Sequence, residues 1–491
     1  MALFLIGIAV LILGYFTYGK YIEKQVQPDD RLTPAVKNPD GVDYIVLPQW
    51  KNMLIQLLNI AGVGPVIGVI LGIKFGAIVF LILPIGNLIA GAAHDFFSGM
   101  MSIRDNGANL PKLIKTHLGP VYSKVFSWFM VILLLLVVAV FINIPAGLCD
   151  GVLFPATKEF WWFVGAIFFY YVLATLFPVD KIIGKVYPFF GLMLLVGTFG
   201  IFIALMIAGI KDPTLLTETA QFRQHMFTEE HAPVIPLLFV TIACGIISGF
   251  HASQSPIVAR TMKSEKQGRA TFYGMMVVEG IIGMIWAGAG MAIYNLFPKL
   301  MEGSPNAALL KATTYFLGDW MGLITVVAVI ILAVTSGDTA LRRTRLCLAE
   351  MLSINQISFR NRILMCLPLI GIVVLLLAWS NADAKSFGFL WNYFAWGNQV
   401  LAASTLMAAA VWLFKQKRNG FTALIPGMFM TFIIVTYILW TSPVHKQAYG
   451  LGLPVNVARM IGVAVAILFA IFVWRRVKAA SSAEDVVTTN E

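Results

Sequence analysis

Ionisable side chains are scarce inside the long apolar runs of this sequence. His94, Asp95, Glu279, Asp338 and Arg459 lie within them, and His251 lies at the end of one. A charge in hydrocarbon is expensive, so groups retained there are first candidates for moving ions or binding charged ligands. Glu279 stands nine residues beyond Ala270, where its run begins, or roughly 14 Å at the helical rise. That depth is near a bilayer midplane and too great for a short side chain to snorkel. Glu279 is therefore the leading candidate for carrying a coupling proton, against the competing reading of a carboxyl bonded to a neighbouring helix. Asp95 and Asp338 are further candidates, although pairing with Arg104 or Arg342 explains their positions near run ends equally well. His94 reads as a local hydrogen-bonding group rather than a metal ligand, and Arg459 as a snorkelling or carboxylate-paired cation.

The backbone offers a second kind of chemistry. One run reads Leu57-Leu58-Asn59-Ile60-Ala61-Gly62-Val63-Gly64-Pro65. Another reads Ile242-Ala243-Cys244-Gly245-Ile246-Ile247-Ser248-Gly249-Phe250-His251-Ala252-Ser253-Gln254-Ser255-Pro256. Glycine and proline near the middle of an apolar run predict a broken helix, tolerated only where the bared backbone is buried or lines a cavity. With Pro65 at the first position of a new half-helix, the amides of Gly62, Val63 and Gly64 would face a carboxylate, helped by the half-helix dipole. The candidate substrate site is accordingly Asn59, Gly62, Val63, Gly64, Cys244, Gly245, Ser248 and His251, with Asn143 along the path. For Asn59, Asn143, Asn398 and Gln399, bonding between helices is the commoner role. Thr335 and Ser336 end a further run, where their hydroxyls would meet sodium beside the broken helix, or bond back to their own helix. Gly64, Gly68 and Gly72, four apart, also serve close packing.

These residues need a membrane-spanning frame, and the composition supplies it. Of 491 residues, 59% are apolar and 12% charged, where a soluble domain carries about 25% charged. The mean hydropathy is +0.83. Thirteen apolar segments are legible: 2–18, 53–73, 75–97, 126–148, 160–178, 189–210, 234–250, 270–297, 320–340, 363–380, 394–414, 422–441 and 456–475. They are continuously apolar rather than alternating, which predicts an all-α polytopic membrane protein and excludes a β-barrel. Lys and Arg number 26 in one set of alternate loops and 8 in the other. The positive-inside rule then places the N-terminus outside and the C-terminus inside, and accounts for the net charge of +11 without nucleic acid. The first run lacks a basic flank before it and a cleavage site after it, so it reads as an uncleaved anchor. Arg342, Arg343 and Arg345 read as contacts to lipid headgroups, and the tail from Ala479 is polar and reads as disordered.

On this count the two broken segments run in opposite directions and start five segments apart, as an inverted five-plus-five repeat requires. The expected division is residues 1–52 as an accessory helix and cytoplasmic loop, 53–210 and 234–414 as the two repeats, and 415–491 as accessory helices and tail. Four cysteines form neither a disulfide framework nor a metal motif. HExxH and GxxxxGK[ST] sequences are absent. The reading is a secondary transporter, not an enzyme, with no cofactor or metal and an ion gradient as the energy source.

Leu58–Pro65, Ala90-Gly91-Ala92-Ala93-His94-Asp95-Phe96-Phe97-Ser98-Gly99-Met100, Ser102-Ile103-Arg104, the second broken run, and Tyr273-Gly274 with Glu279-Gly280 resemble the carbon starvation (CstA) family. The resemblance is close over residues 1 to about 350 and looser beyond. It implies a transporter of the bacterial inner membrane, related to the amino acid–polyamine–cation superfamily, with a leucine-transporter-like repeat. It also implies peptide uptake during carbon starvation, with proton-coupled pyruvate uptake in some relatives; protons are favoured over sodium. A membrane nutrient sensor is the reading from another class, and the short loops argue against it as the sole role.

Overall fold

A computed structural model describes residues 1–40, 44–154, 159–176, 180–216, 232–302, 305–354, 358–383, 385–445 and 448–488. Helices carry the described chain throughout, because a backbone in hydrocarbon must satisfy its own hydrogen bonds. In chain order these are α1 (Ala2–Val26), α2 (Gln49–Ile60), α3 (Val63–Phe75), α4 (Val79–Arg104), the short amphipathic α5 (Leu110–Leu118), α6 (Pro120–Gly151), α7 (Phe160–Leu176) and α8 (Pro188–Lys211). The second half contains α9 (Val234–Thr241), α10 (Ala243–Ile246), α11 (Gly249–Ala259), α12 (Glu265–Leu296), α13 (Asn306–Met351), α14 (Phe359–Ser380), α15 (Ser386–Lys415), α16 (Phe421–Trp440) and α17 (Val455–Ala479). Among the described residues, ten helices are long and apolar enough to cross a membrane, and two bent pairs bring the total to as many as 12. The thirteenth expected segment is α7, a shorter apolar helix of 17 residues.

Burial separates inner helices from outer ones. In the most apolar stretch of α12 and of α15, 89% of residues are buried, against 28% in α1 and 22% in α17. The inner helices surround the two broken segments. The first breaks between α2 and α3 with a 50° bend. Ala61 there adopts φ −76°, ψ 57°, and the Gly62 amide donates to the Ile60 carbonyl at 2.8 Å, an inverse γ-turn. The second bends by 71° after α9, and Ile247 and Ser248 are then fully extended before α11 begins.

The two breaks touch. A Cβ on Gly64 would lie 2.8 Å from the Cys244 sulfur, one on Gly68 2.9 Å from the Thr241 carbonyl oxygen, and one on Gly72 2.2 Å from Ile242. The glycine stripe of α3 thus lets the second broken segment approach to backbone distance, as small residues do between membrane helices.

Candidate functional site

Two half-helices begin at the centre of the bundle. Gly62 precedes the first residue of α3, and Ser248 precedes the first residue of α11; neither receives a side-chain cap. The opening amides of each half-helix therefore have no acceptor within their own helix, and both positive dipole ends face the same region. A small cavity lies there. Gly62, Gly64 and Pro65 line it from one side, and Ser248, Phe250 and His251 from the other. Asn59, Ile60 and Cys244 come from the segments before the breaks; Phe141 of α6, Ser336 of α13, and Phe394 and Asn398 of α15 close it. The Phe141 and Phe394 rings meet edge to face at 5.8 Å and form an apolar wall. Two unpaired helix starts beside apolar rings suit a small anion.

A chain of buried acid–base groups runs outward from the cavity. Asp95 of α4 is shared by two histidines: its Oδ1 lies 2.8 Å from Nδ1 of His94, and its Oδ2 lies 3.1 Å from Nδ1 of His251. The other nitrogen of His251 lies 3.8 Å from Oε1 of Glu279 on α12, beyond hydrogen-bond distance. Neither Glu279 oxygen, nor Nε2 of His94, has a hydrogen-bond partner among the described residues. All four side chains are buried. Ser98 reinforces the junction by donating to Ser255 Oγ at 2.9 Å, and Ser255 donates to the His251 carbonyl at 3.1 Å. His251 is thus both a wall of the cavity and the middle of the chain.

Several expected roles change in this geometry. Pro65 is the third residue of α3 rather than the first, and the Gly62 amide is spent on the γ-turn. The open amides are those of Val63 and Gly64, although the Val63 side chain is buried away from the cavity lining. Gly245 is also outside the lining: its carbonyl accepts from Asn87 at 3.2 Å, and a Cβ there would meet Val69 at 2.8 Å. Asn143 joins helices, donating to Ser380 at 3.1 Å and accepting from Asn381 at 2.7 Å. Thr335 bonds back to Ile331 and Leu332 at 3.0 Å. Ser336 does face the first break, with its hydroxyl 3.9 Å from where a Gly62 Cβ would stand.

The arginines also differ from expectation. Arg104 forks onto both oxygens of Glu265 at 3.1 and 3.0 Å, leaving Asp95 to the histidines. Arg343 turns inward, bonding Ser253 at 3.1 Å and Gln254 while its guanidinium lies over the Phe250 ring. Arg342 donates to the Ala174 carbonyl at 2.9 Å, and Arg345 is buried. Arg459 donates to the Ile235 carbonyl at 2.8 Å, fixing the start of α9. Asp338 accepts from Tyr170 at 2.7 Å and is not part of the chain that includes Glu279. The sequence carries no signal for Phe141 or Phe394, which lie in the apolar segments 126–148 and 394–414 that hold no charged residue. His94 bonds locally, to its neighbour Asp95 at 2.8 Å.

A family model described as "Carbon starvation protein CstA" matches residues 1–152, 152–301 and 306–437. An uncharacterized membrane protein of Haemophilus influenzae is 40% identical over 63% of this chain and 96% of its own length. The peptide transporter CstA of Escherichia coli is 24% identical over 88% of this chain and 79% of its own. The pyruvate/proton symporter BtsT of Escherichia coli is 26% identical over 57% and 47%. Among solved structures, a manganese transporter of Eremococcus coleocola shares the fold with a TM-score of 0.56 at 13% identity, covering 90% of this chain and 99% of that one.

Proposed function

The chain belongs to the CstA family of carbon starvation proteins, and from that premise we propose that it is a secondary transporter importing a small carboxylate-bearing nutrient with a proton. The observation that carries this reading is the position of His251, which lines the cavity, touches Asp95 and approaches Glu279. The substrate carboxylate sits at the open amides of Val63 and Gly64 and at the start of α11, where Ser248 and His251 flank it. Glu279 takes the proton, and Asp95 holds His251 in place between proton and substrate. Asn59 and Cys244 complete the walls. In this scheme residues 53–210 and 234–414 are inverted repeats that rock around the shared site. The protein lies in the bacterial inner membrane with its N-terminus outside and its C-terminus inside. Protons are preferred to sodium as the coupling ion because the acid–base chain abuts the cavity, whereas of the two candidate hydroxyls only that of Ser336 lines it.

Peptide is the leading substrate, supported by the Escherichia coli peptide transporter CstA, which matches most of this chain. Pyruvate is the second reading, favoured by the small cavity and by the symporter among the relatives. Counterflow in proteoliposomes, using labelled pyruvate, alanyl-alanine and trialanine with and without a proton gradient, tests both. Uptake of at least one compound, enhanced by an inward proton gradient, is expected. Absence of saturable uptake of all three overturns the transport reading.

A further inference from the structure

We propose that Asn398 reads a peptide unit of the substrate: its amide NH2 donates to the unit's carbonyl, and its amide oxygen accepts the unit's N–H. The inference rests on the transport reading above and names the residue and chemistry that select within it. Asn398 is fully buried in the middle of α15 and lines the cavity. Neither its Oδ1 nor its Nδ2 has a hydrogen-bond partner among the described residues. A buried amide with both ends unmade is costly, and native structures rarely keep one without a reason.

Comparable amides are at least partly employed in the fold. Gln399, the next residue, donates to the Phe239 carbonyl although its Oε1 has no partner among the described residues, and Asn143 is bonded to Ser380 and Asn381. Asn398 is also held in a fixed place. A Cβ on Gly249, at the start of α11, would stand 2.5 Å from the Asn398 carbonyl oxygen and 2.6 Å from the Ala402 nitrogen. Backbone therefore meets backbone here, and the free amide sits beside the half-helix start assigned to the carboxylate.

A primary amide carries donor and acceptor side by side, and a peptide unit presents the complementary pair. A 2-oxo acid brings acceptors alone and would leave Oδ1 of Asn398 unmatched. The site chemistry thus selects peptides over pyruvate.

The test uses the full-length protein in proteoliposomes with alanyl-alanine, pyruvate and alanyl-lactate, in which an ester replaces the peptide N–H. Wild type should prefer alanyl-alanine to alanyl-lactate by roughly ten- to a hundredfold in kcat/KM. Asn398→Leu should raise the KM for alanyl-alanine by a similar factor and erase that preference. Because leucine replaces both unmade partners by an apolar group of similar size, the substrate-free variant should melt no lower than wild type. A lower melting temperature would show the amide already employed in the fold and overturn the inference. So would an unchanged KM in Asn398→Leu. Wild type carrying pyruvate but no dipeptide overturns this inference and leaves the transport reading intact, whereas wild type carrying neither removes both.

Discussion

Replacing Glu279 by glutamine keeps the shape of the side chain and removes its proton. In the structure the carboxyl is fully buried, has no hydrogen bond on either oxygen among the described residues, and lies 3.8 Å from His251. A carboxyl so placed can gain or lose a proton without breaking an existing bond, and glutamine cannot. If one proton accompanies each neutral, zwitterionic substrate, one pH unit is worth about 1.4 kcal/mol, or roughly a tenfold concentration ratio. A potential of about 100 mV adds about 2.3 kcal/mol, roughly fiftyfold more. Glu279→Gln should lose both factors and equilibrate substrate at a ratio of about one, while exchange at equal concentrations continues, because the cavity-lining residues are untouched. Proteoliposomes with the outside one pH unit more acidic, followed with labelled alanyl-alanine, read this directly. Wild-type accumulation in Glu279→Gln would refute the assignment and move the coupling proton to Asp95 or its histidines.

Two further expectations follow from packing and charge. Gly62→Ala should be tolerated, because its Cβ meets nothing closer than 3.9 Å, whereas Gly249→Ala places a Cβ 2.2 Å from that of Leu401 and should cost about 1–3 kcal/mol or more. Equal melting temperatures of the two purified variants would show that the backbone contact between α11 and α15 is not tight. The 26-to-8 loop asymmetry predicts an internal C-terminus, so Ala479→Cys should resist an impermeant maleimide until cells are lysed. Labelling of intact cells would invert the assigned topology.

The frame was legible because hydrocarbon imposes length and polarity on every spanning helix. Thirteen runs read from hydropathy coincide with the long helices, the two bent pairs and the shorter α7. The breaks were legible for the same reason: Gly62, Gly64 and Pro65 have no place mid-helix unless the helix stops. The register of a break was not. Whether α3 begins at Val63 or after Gly64 depends on the γ-turn at Ala61, a local choice of one residue. Long-range pairing was less legible still. Asp95 lay closer in sequence to Arg104 than to His251, yet Arg104 found Glu265 and the aspartate found the histidines. Asn143 and Asn398 look alike in the sequence; a partner on α14 satisfies one, and the other has none among the described residues. Contacts between helices distant in sequence decided these cases, and hydropathy carries no information about them.

The arrangement supplies a reason for the proposed coupling of an anion to a proton. A substrate carboxylate placed, as proposed, at the start of α11 would lie beside His251, which bonds Asp95 and approaches Glu279. In a medium poorer in water than bulk, a third negative group beside Asp95 and an ionised Glu279 is strongly repelled, so substrate entry and protonation of Glu279 favour each other. This linkage gives the two substrate readings different electrical signatures. A zwitterionic dipeptide entering with one proton carries a net positive charge inward; pyruvate with one proton carries none. On a solid-supported membrane, alanyl-alanine should therefore evoke an inward current that disappears in Glu279→Gln. Pyruvate, if carried, should acidify the lumen without current. A current of equal size with both substrates would mean that the number of ions moved is not set by this chain, and would disconnect the buried carboxyls from transport.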